Sequence, residues 1–134
     1  MAQTYLLDTN VITGILKRDD KVAGRLRRAL DADARIVISP VVYYETRRGL
    51  LKRDAKKQLG FFERLAGAFQ WDDLRRPDWE TASEWWASET SQGRPPQDAD
   101  LLIAAQAHRL NAVLVTNNER HFDHLNLSIE NWLA

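Results

Sequence analysis

The 134-residue chain contains no cysteine. This absence excludes a disulfide framework, a thiolate zinc site and a cysteine nucleophile, and it is typical of proteins that work in a reducing compartment. Histidine is also scarce, because the chain has three histidines and their spacing is not that of a zinc site. We therefore expect any metal ion bound by this chain to be held mainly by oxygen atoms.

Long hydrophobic runs are missing as well. No stretch approaches the ~20 apolar residues that a membrane span needs, and the start, MAQTYLLDTN, lacks the basic and apolar segments of a signal peptide. We expect a soluble, cytoplasmic protein that does not bind membranes. The nineteen basic and nineteen acidic residues cancel. This balance argues mildly against a broad electrostatic grip on nucleic acid, but it is compatible with an active site made of carboxylates.

Short apolar runs alternate with longer segments of helical periodicity. The expected strands cover residues 5–7, 36–38, 68–71, 112–115 and 127–129. A helix opened by Ser39-Pro40 is expected to continue through residue 68, and residues 101–107 are apolar nearly all round, as in a buried helix. Strands separated by helices predict one α/β domain over residues 1–134. We expect a mostly parallel sheet of four to five strands with helices on both faces.

Two further features have ordinary structural interpretations. Trp79 and Trp86 lie seven residues apart in an expected helix, so they share a face that we expect to be buried. Trp85 lies elsewhere on that helix and could stack on a base or pack in an interface. The basic residues between 47 and 57 are expected to form a solvated face, with contact to an RNA backbone as the alternative.

Polar side chains follow the expected strands at the edge where ligands bind in open α/β sheets. These residues are Asp8 and Asn10 after the first strand, and Thr116, Asn118 and Glu119 after the fourth. Glu45 lies in the helix after the second strand, and Asp100 lies in the first turn of the expected buried helix. The topology can bring all of these side chains to one edge of the sheet.

Each acid also has a purely structural explanation. Asp8 could cap the next helix, and Glu45 could pair with Arg48 on a solvated face. Asp98 and Asp100 could both serve the dipole of the helix that they begin. That explanation fits Asp100 less well, because the buried helix follows directly and a carboxylate there needs a cation or several donors.

Three acids with no cysteine and few histidines favour Mg²⁺ or Mn²⁺ over zinc. An ion held by carboxylates can activate water and neutralise the charge on a phosphodiester. The combination of Asp8, Glu45 and Asp100 is therefore compatible with a metal-dependent nuclease, although the residues alone leave the structural explanations open.

Three segments in this order resemble the PIN-domain nucleases, most of all the VapC-type toxins of toxin–antitoxin pairs: YLLDTNVI, SPVVYYETRRGL and DLLIAAQA…VLVTNNERHF. The resemblance spans nearly the whole chain. It implies a parallel-sheet α/β fold and Mg²⁺- or Mn²⁺-dependent cleavage of RNA. It further implies a homodimer that a cognate antitoxin protein neutralises by covering the acidic site.

The resemblance also implies roles for single residues. The family's first acid falls on Asp8 and its third on Asp100, which would hold the metal ion, and its glutamate falls on Glu45, which would complete the shell or orient the attacking water. The expected substrate contacts are Asn10, Thr116, Asn118 and Glu119, with a structural role in the turn as the alternative for Thr116 and Asn118.

One position departs from the family pattern. A fourth acid often follows the T-N-N segment, and His121 stands at the matching place, with Glu119 as the nearest acid. We therefore expect one tightly held ion instead of two. His121 itself could donate to a phosphate oxygen or pack beside Phe122.

Other classes of function remain to be compared. A receiver-like phosphoacceptor would need further acids beside Asp8 and a lysine after a late strand, and a haloacid-dehalogenase-like phosphatase would need an aspartate where Asn10 stands. A third alternative is a catalytically weak PIN fold that only binds RNA or protein.

Overall fold

The computed structural model describes residues 2–134 and contains a five-stranded sheet within that range. The strands are β1 (Thr4–Leu7), β2 (Arg35–Ile38), β3 (Gln70–Trp71), β4 (Val113–Val115) and β5 (Ile129–Glu130). Their order across the sheet is β3-β2-β1-β4-β5, and every neighbouring pair is parallel. The central strand β1 pairs Tyr5 with Ile36 on one side and with Val113 on the other. The expected parallel α/β sheet is confirmed.

Helices connect the strands. They are α1 (Thr9–Leu16), α2 (Asp20–Asp31), α3 (Pro40–Lys52), α4 (Lys56–Ala68), α5 (Arg76–Ser91) and α6 (Asp98–Leu110), with a 3₁₀ turn at Glu119–His121. No helix among residues 2–134 is long and apolar enough to cross a membrane. Connections from β1 to β2 and β3 run one way across the sheet, and those to β4 and β5 run the other way. Because parallel crossovers are right-handed, the two sets of helices cover opposite faces.

The expectation of one helix from Pro40 to residue 68 was wrong. Asp54 adopts a left-handed conformation with φ 52°. The Ala55 N–H then donates back to the Leu50 carbonyl at 3.0 Å, and the Asp54 N–H donates to Leu51 at 3.1 Å, which closes the end of α3. Aspartate adopts this conformation more readily than most residues. No glycine stands at this position, so the sequence contained no signal that predicted the end of α3 there.

The expectation that Trp79 and Trp86 face the core was also wrong, since they are 55% and 47% exposed. The buried positions of α5 are Asp78, Ala82 and Glu89. Trp85, one position away from Trp86, is half-buried, and its ring lies 5.7 Å from that of His108 on α6. Trp79 and Trp86 share one face of α5, as their spacing predicts, but the face that packs against the rest of the protein is the one that carries Asp78 and Glu89.

One of these acids belongs to an ion-pair cluster that ties α6 to α5 and to the loop after β3. Arg109 donates from Nε to Asp78 at 2.8 Å and from Nη2 to Asp72, and Gln106 donates to the Asp72 carbonyl at 2.7 Å. Asp78 is fully buried. Burial alone would raise the pKa of Asp72, but hydrogen bonds from Gln106 and Arg109 and the charge of Arg109 outweigh it, so this pKa lies below its ordinary value.

Replacement of Arg109 by methionine should destabilise the fold by about 3–5 kcal/mol at neutral pH, because two buried carboxylates lose their cation. Urea unfolding measures this, with Arg76→Met as the control, since Arg76 is an exposed arginine 3.8 Å from Glu80. Asp72 with its lowered pKa stabilises the fold above about pH 3.9 and loses that contribution as the pH falls through its folded value, so the difference should shrink in acid. A destabilisation no larger than the control's would contradict the role assigned to the cluster.

Candidate active site

The candidate site lies where the strand order reverses, at the carboxyl ends of β1 and β4. Parallel α/β sheets bind ligands at such a switch point because the loops there diverge. Asp8 directly follows β1, and its N–H donates to the Val115 carbonyl of β4 at 2.9 Å. Thr116 directly follows β4, and its hydroxyl donates to Asp8 Oδ2 at 2.8 Å. The two loops are therefore joined through the Asp8 carboxylate.

Asp8 is 4% exposed and accepts only from neutral donors. Besides the Thr116 hydroxyl, these are the Thr9 N–H at 2.8 Å and the Asn10 amide at 3.4 Å. Its extended backbone and the bond from Thr9 make it the N-cap of α1, so the capping role is real. No lysine, arginine or histidine among residues 2–134 forms an ion pair with this carboxylate.

Two other acids act on Asp8 through space. Burial is the largest cause that raises the pKa of Asp8, and the negative charges of Asp100 and Glu45 raise it further. The hydrogen bonds from Thr116 and Thr9 lower this pKa but do not cancel the increase. Asp100 and Glu45 are therefore close enough to Asp8 for their charges to disfavour its ionised form.

Glu45 on α3 is tied to the start of α1. Its Oε1 accepts from the Thr9 hydroxyl at 3.1 Å. Arg48 lies 4.0 Å from Oε2, and the Glu45 side chain is 25% exposed. The expected alternative, a solvated pair with Arg48, is thus present only as a long contact. The short contact is with Thr9, a polar residue after β1 to which the sequence analysis assigned no role.

Asp100 lies in the first turn of α6 with its side chain 20% exposed, and its Oδ2 is 3.0 Å from Nδ1 of His121. The His121 ring lies 6.3 Å from that of Phe122, as one of the two alternatives expected, but its side chain is 49% exposed. His121 therefore contacts an acid of the site from the position at which the family resemblance implies a fourth acid. Nothing in the residue pattern indicated this contact.

The four residues expected to contact the substrate differ in the hydrogen bonds that they make within the protein. Asn10 accepts from the Asn117 N–H at 2.9 Å, and Thr116 accepts from the Asn118 N–H at 3.0 Å. The first bond holds the loop after β4 against the start of α1, and the second lies within that loop, so both residues have a structural role in addition to any contact with substrate. Glu119 accepts from the Asn131 amide at 3.3 Å.

The donor set suits a hard divalent cation. In the geometry of residues 2–134, no three acidic or histidine side chains converge closely enough to hold a metal ion. Asp8 is nevertheless a buried carboxylate without a cationic partner, next to two further acids that raise its pKa. A divalent cation bound by Asp8 and Asp100 would offset this repulsion, and oxygen ligands match Mg²⁺ or Mn²⁺.

Comparisons with known proteins agree with this geometry. The model of the PIN domain family matches residues 5–126. The ribonuclease VapC1 of Haemophilus influenzae strain R2866 is 31% identical over 134 residues, with 96% of this chain and 97% of that protein covered. The ribonuclease VapC2 of Rickettsia felis is 33% identical over 142 residues, with the same coverage.

Solved structures of VapBC complexes contain a chain with the same fold. VapBC2 from Rickettsia felis, bound to a DNA fragment from its promoter, has a TM-score of 0.88 at 28% identity and covers 97% of this chain and 99% of that chain. VapBC-1 from nontypeable Haemophilus influenzae has a TM-score of 0.85 at 27% identity and covers 98% and 100%.

The chain belongs to the PIN-domain family. Within that family it is of the VapC type, because the similarity to VapC relatives extends over nearly the whole length of both proteins. The resemblance seen in the sequence is confirmed, and the receiver-like and phosphatase alternatives are excluded with it.

Proposed function

We propose that this chain, as one domain over residues 1–134, is a ribonuclease that cuts RNA internally with Mg²⁺ or Mn²⁺, and that it is the toxin of a toxin–antitoxin pair. The observation that carries the proposal is the buried Asp8 carboxylate, flanked by Glu45 and Asp100 where the strand order reverses. The names of the ribonuclease relatives support RNA as the substrate. Such an enzyme would act in the cytoplasm, where its substrates are found.

The proposed roles follow from the contacts of each residue. Asp8 and Asp100 would hold the ion, and the bonds from Thr116 and Thr9 keep Asp8 in one orientation. When bound, such an ion activates water and neutralises charge on the phosphodiester. Glu45 is fixed through Oε1 by Thr9, and its Oε2, which has only the long contact with Arg48, would orient the attacking water and accept its proton.

Asn10, Thr116, Asn118 and Glu119 remain proposed substrate contacts at the edge of the site. Glu119 is held by Asn131 at 3.3 Å, so we assign it a smaller contribution than the three acids. Its carboxylate would contact the RNA or attract a weakly bound second ion.

Cleavage of a mixed single-stranded RNA pool tests the function. The wild type should cut RNA with Mg²⁺ or Mn²⁺ and lose activity in EDTA. Asp8→Asn should abolish cleavage, because the neutral amide cannot hold the ion, whereas Glu119→Gln should slow it only modestly. A wild-type protein that binds RNA without cutting it would support the alternative of a catalytically weak binding module. A fully active Asp8→Asn would refute the site.

An antitoxin is proposed as the partner, because the structural relatives are VapBC complexes. Without metal, the acidic cluster would attract an arginine side chain through charge-assisted contacts, so a segment of the antitoxin that carries an arginine would block the site. An antitoxin complex that cleaves RNA at the full rate would contradict this mechanism.

A homodimer is the second proposed assembly. The exposed rings of Trp79 and Trp86 on α5 border an apolar groove of about 440 Å³ that also contains Leu101 and Leu102 of α6. Exposed apolar surface of this kind is typical of protein interfaces.

Trp86→Glu should convert the dimer into a monomer, because it places a charge in the apolar groove. Light scattering at micromolar concentration measures the change. Leu30→Glu, an exposed apolar position on α2, is the control and should leave the dimer intact. A monomeric wild type, or a Trp86→Glu variant that remains a dimer, would contradict the proposed interface.

A further inference from the structure

A second cavity, of about 570 Å³, opens beside Asp100. Its walls include Asp100 and His121 from the active site together with Arg94 and Arg120, and we call it the arginine cleft. Its volume lies within the range of pockets that hold small ligands, ~300–1,000 Å³. The cleft is therefore large enough for part of a nucleotide, and it reaches the acidic site at Asp100.

The backbone after α5 places Arg94 on the wall of this cleft. Gly93 has φ 78°, a conformation that favours glycine, and its N–H donates to the Thr90 carbonyl at 3.0 Å. The Arg94 N–H donates to the Glu89 carbonyl at 2.9 Å, which completes a Schellman motif. The turn fixes the direction in which the chain leaves the helix.

The side chain of Arg94 is fixed by the same helix end. Its Nε lies 2.9 Å from Oε2 of Glu89, a carboxylate whose side chain is 8% exposed. His124 reaches the same oxygen at 3.3 Å from the loop after β4, and its other ring nitrogen lies 3.3 Å from Asp123 at the rim. Glu89 thus joins two walls of the cleft, while half of the Arg94 side chain stays exposed.

The positive charge of Arg120 has no ion-pair partner among residues 2–134. The residue is exposed in the 3₁₀ turn. The next residue, His121, contacts Asp100. Arg120 therefore lines the cleft directly beside His121, the residue that contacts Asp100.

We propose that the arginine cleft binds a phosphate of the RNA strand next to the one that is cut, with Arg94 and Arg120 as its ligands and Glu89 as the residue that positions Arg94. This inference rests on the proposed ribonuclease function. A site of three carboxylates repels a polyanion, so cations must hold the strand beside it. Arginine suits this task because its planar fork matches the oxygens of a phosphate.

Binding of a fluorescein-labelled single-stranded RNA, followed by anisotropy in an Asp8→Asn background that does not cut, tests the proposal. Arg120→Gln should weaken binding several-fold. It should also flatten the slope of log affinity against log salt by about 0.7, the value expected when the protein neutralises one phosphate fewer on a single strand. Arg76→Gln is the matched control, because it removes an equal charge from an exposed arginine outside the cleft and should change neither quantity.

Glu89→Gln separates positioning from folding, since this variant keeps every positive charge. It should weaken RNA binding while the melting temperature records any structural cost. A lower melting temperature with unchanged RNA affinity would show that the Glu89–Arg94 pair only fastens the turn. Such a result would overturn the positioning role.

Cleavage by the wild-type enzyme distinguishes this inference from the function on which it rests. In an active enzyme, Arg120→Gln should raise KM and leave kcat unchanged, because the arginine binds the phosphate equally well before and during the reaction. An active enzyme in which Arg120→Gln binds and cuts RNA like Arg76→Gln would overturn the cleft and leave the function standing. A wild type that cuts no RNA would overturn the function, while the binding comparison would still decide whether the cleft holds phosphate.

Discussion

The Asp8 carboxylate is held where a negative charge is costly, and the rest of the site depends on this constraint. It is almost completely buried, it caps α1, and it receives hydrogen bonds from neutral groups only. Burial and the charges of Asp100 and Glu45 together raise its pKa. An arrangement of this kind is unfavourable in the isolated protein and becomes favourable when a divalent cation is present.

The fold maintains this arrangement through contacts on every side. The reversal of strand order puts the ends of β1 and β4 next to each other, so Asp8 and Thr116 meet. Thr9 connects the start of α1 to Glu45 on α3. The ion pairs of Arg109 fix α6, which carries Asp100, against its neighbours. Each acid thus comes from a different part of the chain, and the sheet places Glu45 and Asp100 near enough to Asp8 to raise its pKa.

The sequence predicted the parts that short contiguous patterns encode. The strands and the parallel α/β class follow from apolar runs, and three motifs named Asp8, Glu45 and Asp100 as candidate site residues, whose roles stay a prediction. Contacts between distant residues could not be predicted, because the pairing of His121 with Asp100 depends on how two loops pack. The buried face of α5 was missed for a different reason. Its acids, such as Asp78, are buried only because cations elsewhere in the chain pair with them.

Calorimetric titration of the free protein with Mn²⁺ tests the central claim that these carboxylates hold one metal ion. The wild type should show one tight site, and Asp100→Asn should abolish it while Asp98→Asn retains it. Asp98 is the matched control because it is an exposed acid in the same first turn of α6. Two tight sites in the absence of RNA, or a site that survives Asp100→Asn, would contradict the account.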